Sequence, residues 1–160
     1  MSDDSAPARP GRHSMKSAAR LYAVQALYQM EQSGQGSDAV RREFLEHRFG
    51  AEIDEGVEMA EGDAGLFGLI LDEAVNWQGK IDQMTDRALV AKWPIARIDP
   101  VLRALFRAAG AEMGQKGTPP KVVIMEYVEV AKAFYPEGRE PKFVNAVLDH
   151  MAREARPEAF

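Results

Sequence analysis

The stretch Ile98-Asp99-Pro100-Val101-Leu102-Arg103-Ala104-Leu105-Phe106-Arg107-Ala108-Ala109 decides the fold. An aspartate can accept from the free N–H groups of a first helical turn, and a proline at the first helical position needs no donor of its own. Beyond that start, Val101, Leu105, Phe106, Ala109 and Met113 recur at helical spacing as an inner stripe. Leu102, Arg103 and Arg107 are left on the outer face. The same period runs outward in both directions. Downstream, a loop from Gly114 to Pro120 leads to a helix with Ile124, Tyr127, Val128, Ala131 and Phe134. Pro136 to Pro141 breaks that helix, and a last one packs Phe143, Val144, Val147, Leu148 and Met151. Upstream, Trp93-Pro94 punctuates the chain after a short helix from Lys80 to Val90 that carries Ile81, Met84 and Leu89. Asp63 is placed to cap a helix whose inner face is Phe67, Ile70, Leu71, Ala74 and Trp77. Ser37 is placed to cap another, with Val40, Phe44, Leu45 and Phe49, that Gly50 stops. The first helix, Ser14 to Gln32, has apolar rows at Leu21, Val24, Tyr28 and at Ala23, Leu27, Met30, and Gly34 and Gly36 end it.

Seven helices result, and no alternating stretch competes with them. Val122-Val123-Ile124 is the only β-like run, and it continues into helical spacing. The fold class is all-α, an array of helices whose short loops make neighbours of consecutive elements. The acidic run Glu52 to Asp63 reads as a loop with room for one helical turn, and the seam between sub-bundles is expected near residues 50–65. One domain, residues 14–155, then lies between a flexible basic tail, 1–13, and a short tail, 156–160.

With 160 residues, 46% apolar and 28% charged, the chain has the composition of an ordinary folded domain. It has no cysteine, which removes disulfides, thiolate metal sites and cysteine nucleophiles and fits a reducing cytoplasm. The longest apolar runs are a few residues, too short for a bilayer, and MSDDSAPARPGRHS at the start lacks the apolar core of a secretory signal. No membrane association is expected.

The net charge of −5 is unevenly spread. Residues 1–20 carry +2, residues 31–65 carry −7, and the rest is neutral. The sum argues against polyanion binding over the whole surface, whereas the basic start favours it locally. A flexible tail with incidental arginines is the other reading.

Catalytic patterns are missing. The six serines all lie between Ser2 and Ser37, outside any nucleophile elbow, and His13, His47 and His150 have no metal-binding helix spacing. Gly34-Gln35-Gly36 lacks the remainder of a dinucleotide fingerprint. Glu126 and Glu129 share a helix face, and such a pair is most simply solvated surface. The chain is therefore not expected to be an enzyme or to hold a cofactor or metal.

Three surfaces stand above background. Arg9, Arg12, His13, Lys16 and Arg20 form a basic arm leading into a helix that also carries Gln25 and Tyr28, and Lys16 and Arg20 are i, i+4 neighbours. Flexible arginine-rich segments grip RNA through phosphates and stacked guanidinium planes; a solvated helix face is the alternative. Lys142, Phe143 and Asn145 place a cation, a ring and an amide in the first turn of the last helix, where free N–H groups attract phosphate. Alternatively Phe143 is core and Asn145 a local cap. Leu102, Arg103 and Arg107 offer a patch for a protein partner.

Four blocks then resemble the NusB family: Ala23-Val24-Gln25-Ala26-Leu27-Tyr28-Gln29; Ile98-Asp99-Pro100-Val101 with Arg103 and Arg107; Pro120-Lys121-Val122-Val123-Ile124 with Glu126, Val128, Glu129, Ala131 and Lys132; and Lys142-Phe143-Val144-Asn145-Ala146-Val147-Leu148-Asp149. They span roughly Lys16 to Met151, and the region from Gly34 to Gly62 matches weakly. The resemblance implies two small three-helix sub-bundles with an extra helix. It implies a bacterial transcription antitermination factor that pairs with NusE, a small-subunit ribosomal protein. Such a factor binds the boxA element of nascent ribosomal RNA, a single-stranded target, and acts indirectly on the RNA polymerase elongation complex. Carried over by position, Lys16, Arg20, Gln25, Tyr28, Lys142, Phe143 and Asn145 match the family's RNA-facing surface. There are departures. Ser17-Ala18-Ala19 stand where the family has consecutive arginines, Leu102 where it has a partner-docking glutamate, and Met125 where it has an asparagine. Gly110 replaces a larger residue, which weakens its helix by ~1 kcal/mol relative to alanine.

Two further readings are an RNA-independent helical adaptor for proteins, a possible homodimer, and a stray RNA-binding module of an RNA methyltransferase. The chain is too short to include a methyl-donor domain, which disfavours the second.

Overall fold

The computed structural model describes residues 11–49, 52–54, 57–58, 62–89 and 97–160. Their elements in chain order are α1 (Arg12–Ser33), α2 (Ser37–His47), β1 (Glu52–Asp54), β2 (Val57–Glu58), α3 (Ala64–Asn76), α4 (Gln78–Ala88), α5 (Pro100–Met113), α6 (Pro120–Phe134) and α7 (Glu140–Ala155), followed by a 3-10 turn (Pro157–Ala159).

The two aspartate starts form as their chemistry requires. Asp99 accepts from the N–H of Val101 at 2.7 Å, and Asp63 from that of Leu66 at 2.9 Å. Ser37 does not cap: it is the first residue of α2, preceded by Gly36, and no side-chain bond closes that end. Gly34 ends α1 with φ 76°, a left-handed conformation that costs glycine nothing. Gly50, Val90 and Trp93-Pro94 lie outside the described residues.

Among the described residues the fold is all-α apart from one antiparallel ribbon, β1 with β2, in the acidic run read as a loop. Helices α1, α2 and α3 pack together, and α4, α6 and α7 form a second group. The first group is built on aromatic rings: Tyr22, Phe44, Phe49 and Phe67, with neighbouring centroids 4.8 to 6.4 Å apart. Offset and edge-on pairs of this kind add about 0.5–1.5 kcal/mol each beyond their burial. In the second group Ile81, Val144, Leu148 and Met151 are buried. Helix α5 is shared, touching α1 and α3 on one side and α4, α6 and α7 on the other. Its nearly continuous burial from Ala104 to Met113 follows from that position. Residues 50–65 connect α2 to α3, both in the first group; the chain passes to the second group at Trp77.

Several side chains depart from their expected positions. Trp77, expected on the inner face, stands at the α3–α4 junction, about half exposed, with Lys80 Nζ 4.9 Å from its ring. Leu102, expected on the outer face of α5, is buried, because α7 begins beside the α5 start and covers it. Glu126, expected on the surface, is buried where α6 meets α1. Gly110 has a reason to be small: a Cβ there would stand 2.5 Å from Ile81 Cγ2, so glycine allows α4 and α5 to approach.

Candidate nucleic-acid interface

At the start of α1 the two cations part. Lys16 is exposed. Arg20 is only 4% exposed and points into the junction of α1, α5 and α6. Its Nε donates to Glu112 Oε1 at 2.9 Å and its Nη2 to Glu112 Oε2 at 2.6 Å, a fork on one carboxylate, while Nη1 donates to Glu126 Oε1 at 3.1 Å. The Tyr127 hydroxyl donates to Glu112 at 3.0 Å and Ser17 to Glu126 at 2.8 Å. His13 Nε2 lies 3.7 Å from the remaining Glu126 oxygen. Burial opposes the Arg20 charge, and the bonds to Glu112 outweigh it, so its pKa stands above the ordinary value. Burial, then the Glu112 carboxylate, push the Tyr127 hydroxyl well up. Arg20 is therefore a structural cation rather than an RNA ligand: all three of its nitrogens are committed to buried carboxylates.

The remaining α1 candidates lie further along the helix. Tyr28 is 38% exposed. Gln25 is half-buried, and its amide oxygen has no hydrogen-bond partner among the described residues. Arg12 is in the first turn of α1, and Arg9 lies outside the described residues.

The α7 start faces solvent. Lys142 and Asn145 are exposed and line a groove of about 650 Å³ with Lys132 and Val128 of α6. Phe143 is half-buried, its ring edge-on to Phe106 with centroids 6.2 Å apart. It is thus anchored in the core on one side and contributes on the other to a second cleft, with Leu102. Helix α6 lies between the two candidate regions, touching α1 through the Arg20 cluster and α7 along its length. The charged side chains there carry no arrangement of nucleophile and base, and no metal-binding cluster occurs among the described residues.

The expected partner patch is rearranged. Arg103 donates to Glu31 through Nε at 2.7 Å and through Nη2, and Arg107 donates to Glu31 at 2.9 Å and to Asp82 at 2.9 and 3.0 Å. The two arginines thus join α1, α5 and α4 and are largely occupied by neighbours. No helix among the described residues is long and apolar enough to cross a membrane.

The model of the NusB family matches residues 17–153. The chain belongs to the NusB family. A transcription antitermination protein NusB of Maricaulis maris is 49% identical over 150 residues, covering 93% of this chain and 92% of its own. One of Caulobacter vibrioides is 48% identical over 142 residues, covering 88% and 94%. The solved structure of NusB from T. maritima superposes with a TM-score of 0.72 at 27% identity, over 96% of this chain and 99% of that one. A structure of the antitermination factors NusB and NusE in complex with double-stranded RNA shares the fold, with a TM-score of 0.67 at 24% identity over 86% and 96% of the two chains.

Within this NusB fold, reasoning from sequence did not single out Arg97 and Arg139, which line a cleft with Phe143. It also missed Glu112 as the carboxylate that takes Arg20. A charged residue beside Met113 on an inner helical stripe was the available signal.

Proposed function

We propose that this chain is an RNA-binding transcription antitermination factor that holds boxA-type single-stranded RNA together with NusE and supports processive transcription by RNA polymerase. The observation that carries the reading is the α7 start. An exposed lysine, an exposed amide and a half-buried ring stand in one turn, giving phosphate attraction, base-edge hydrogen bonding and a stacking face. Family membership supports it, as does the name that the M. maris and C. vibrioides relatives share. Lys142, Phe143 and Asn145 contact RNA from α7, and Lys16, Gln25 and Tyr28 from α1, with Arg9 and Arg12 of the arm. NusE meets the α1–α5 face around Arg103 and Arg107. The protein acts in the cytoplasm as a non-catalytic adaptor.

Few phosphate contacts give modest affinity alone, and a partner that completes the RNA surface raises it by linked binding. Fluorescence anisotropy with a boxA oligonucleotide, with and without NusE, tests this. Tighter RNA binding in the presence of NusE is expected, and equal affinities in both conditions would overturn the mechanism. An RNA-blind protein that self-associates in light scattering would establish the adaptor instead.

A further inference from the structure

The α3–α4 junction, α4 and the C-terminal ends of α5 and α7 enclose a cavity of about 580 Å³. It is remote from the α7 start: from Lys142 to Glu154, which lines the cavity, α7 rises roughly 18 Å. Its volume is within the range of small-ligand sites. Ile81 and Met84 of α4 line it, with the small residues Gly110, Ala111 and Gly114 of α5. The backbone does not demand glycine at 114, where φ is −72°, and a Cβ there would meet only Ala111 O and Gly110 O, at 3.6 and 3.9 Å. The missing side chain leaves open space in the cavity wall.

Four charged side chains face this space, two of each sign. Arg87 and Glu154 cancel, since Arg87 Nε donates to both Glu154 oxygens, at 3.0 and 3.1 Å. Lys80 is exposed and holds no carboxylate among the described residues; its Nζ lies 4.9 Å from the centre of the Trp77 ring. Glu73 Oε2 is buried and accepts no hydrogen bond among the described residues. A buried acceptor without a donor is costly, so the cavity lacks an N–H aimed at Glu73. Three features make that donor a cation. The acceptor is a carboxylate, the half-exposed Trp77 ring already draws an ammonium, and α5 ends at Gly114 with the partial negative charge of its last carbonyls. A guanidinium suits the site better than an ammonium. It is flat enough to stack on an indole, it forks onto a carboxylate, and it sheds water more readily.

We propose that this cavity binds a guanidinium group, stacked on Trp77 and donating to Glu73 Oε2, with Lys80 displaced into solvent. The group belongs to a free guanidino compound or to an arginine side chain of a protein partner, and the recognition chemistry is the same for both. The site is independent of the RNA surface, because its four charges sum to zero and offer a phosphate chain no net attraction. Lys80 is the incumbent on the ring and therefore a competitor of the ligand.

The test uses the full chain carrying W93F, which leaves Trp77 as its one tryptophan. This reference chain and its E73Q and K80Q variants are titrated with methylguanidinium, with the peptide acetyl-Ala-Arg-Ala-amide and with the same peptide carrying neutral citrulline for arginine. Indole fluorescence and the Trp77 indole N–H resonance report binding, and circular dichroism confirms folding. The arginine peptide should shift the Trp77 signals saturably, and the citrulline peptide should bind at least tenfold more weakly. E73Q should lose at least tenfold in affinity for the arginine peptide. K80Q should bind it more tightly than the reference chain, a gain that mere loss of packing does not produce. An arginine peptide tighter than methylguanidinium assigns the site to a protein's arginine; one equal or weaker assigns it to a free guanidino compound. If neither probe shifts the Trp77 signals, water alone serves Glu73 and the proposal is overturned. It is overturned as well if citrulline matches arginine, if folded E73Q binds as tightly as the reference chain, or if K80Q binds no better. Should E73Q fail to fold, K80Q on the exposed rim still decides.

Discussion

The start of α1 and the start of α7 present the same residue chemistry with opposite outcomes. Each begins with cations ahead of an apolar stripe, yet α1 turns Arg20 inward while α7 keeps Lys142 and Asn145 in solvent. The difference lies in the neighbours. Helix α1 runs against α5 and α6, each of which carries a buried glutamate at the point of contact. The first turn of α7 meets an apolar edge of α5, so its ring turns in and its polar groups stay out. A cation becomes a fold element where the opposing helix supplies a carboxylate, and stays available to a ligand where it does not.

Removing Arg20 should have the largest effect. Arg20→Ala strands Glu112 and Glu126 in the core, and breaking a buried pair in this way costs about 3–5 kcal/mol. Urea unfolding should report that loss. Arg20→Lys should recover part of it, because lysine keeps the charge but not the two-pronged geometry. Were Arg20→Ala to stay stable and lose RNA affinity instead, the two helix starts would be alike after all.

Phe143→Ala tests the opposite side. Stacking on a base contributes about 1–3 kcal/mol, so RNA affinity should fall roughly tenfold or more while the circular dichroism spectrum persists. Unfolding, with unchanged affinity in any folded fraction, would make Phe143 core and move it to Arg20's class.

The Glu31–Arg103–Arg107–Asp82 cluster lies between the two extremes and should give the smallest effect. Hydrogen bonds from Arg103 hold the Glu31 carboxyl below its ordinary value of 4.5, against the opposing effect of burial. The stability it contributes is therefore full above about pH 4.5 and is lost as pH falls through the lower folded value. Glu31→Gln should lower stability at neutral pH by ~1 kcal/mol or less and flatten the acid limb of a melting-temperature profile. An unchanged acid limb would show that the cluster contributes nothing beyond its solvated ions.

These contrasts also mark how far the residues alone carry the reading. The Asp63 and Asp99 caps were legible because each bond closes within three residues. The helices were legible because their apolar rows recur at a fixed period. Arg20 was not, since Glu112 and Glu126 lie 92 and 106 positions away. Leu102 was misplaced because its cover comes from α7, an element its own helical period cannot register. Lys142 and Asn145 are exposed near the start of α7, a helix start that the break at Pro136 to Pro141 marks locally in the sequence. The ribbon at residues 52–58 escaped notice because strands of two and three residues leave no alternation to detect.

The contact between Gly110 and Ile81 has a consequence for how such sequences can change. The two positions draw on one volume, since a methyl group at 110 and Cγ2 at 81 would stand 2.5 Å apart. They are therefore one choice written in two places. Gly110→Ala alone should overpack the α4–α5 crossing, and Ile81→Ala alone, which removes Cγ2, should leave a cavity there. Together they exchange bulk across the crossing and should be milder than their separate costs predict, a coupling a double-mutant cycle would measure. A single substitution table, read one column at a time, would misjudge both.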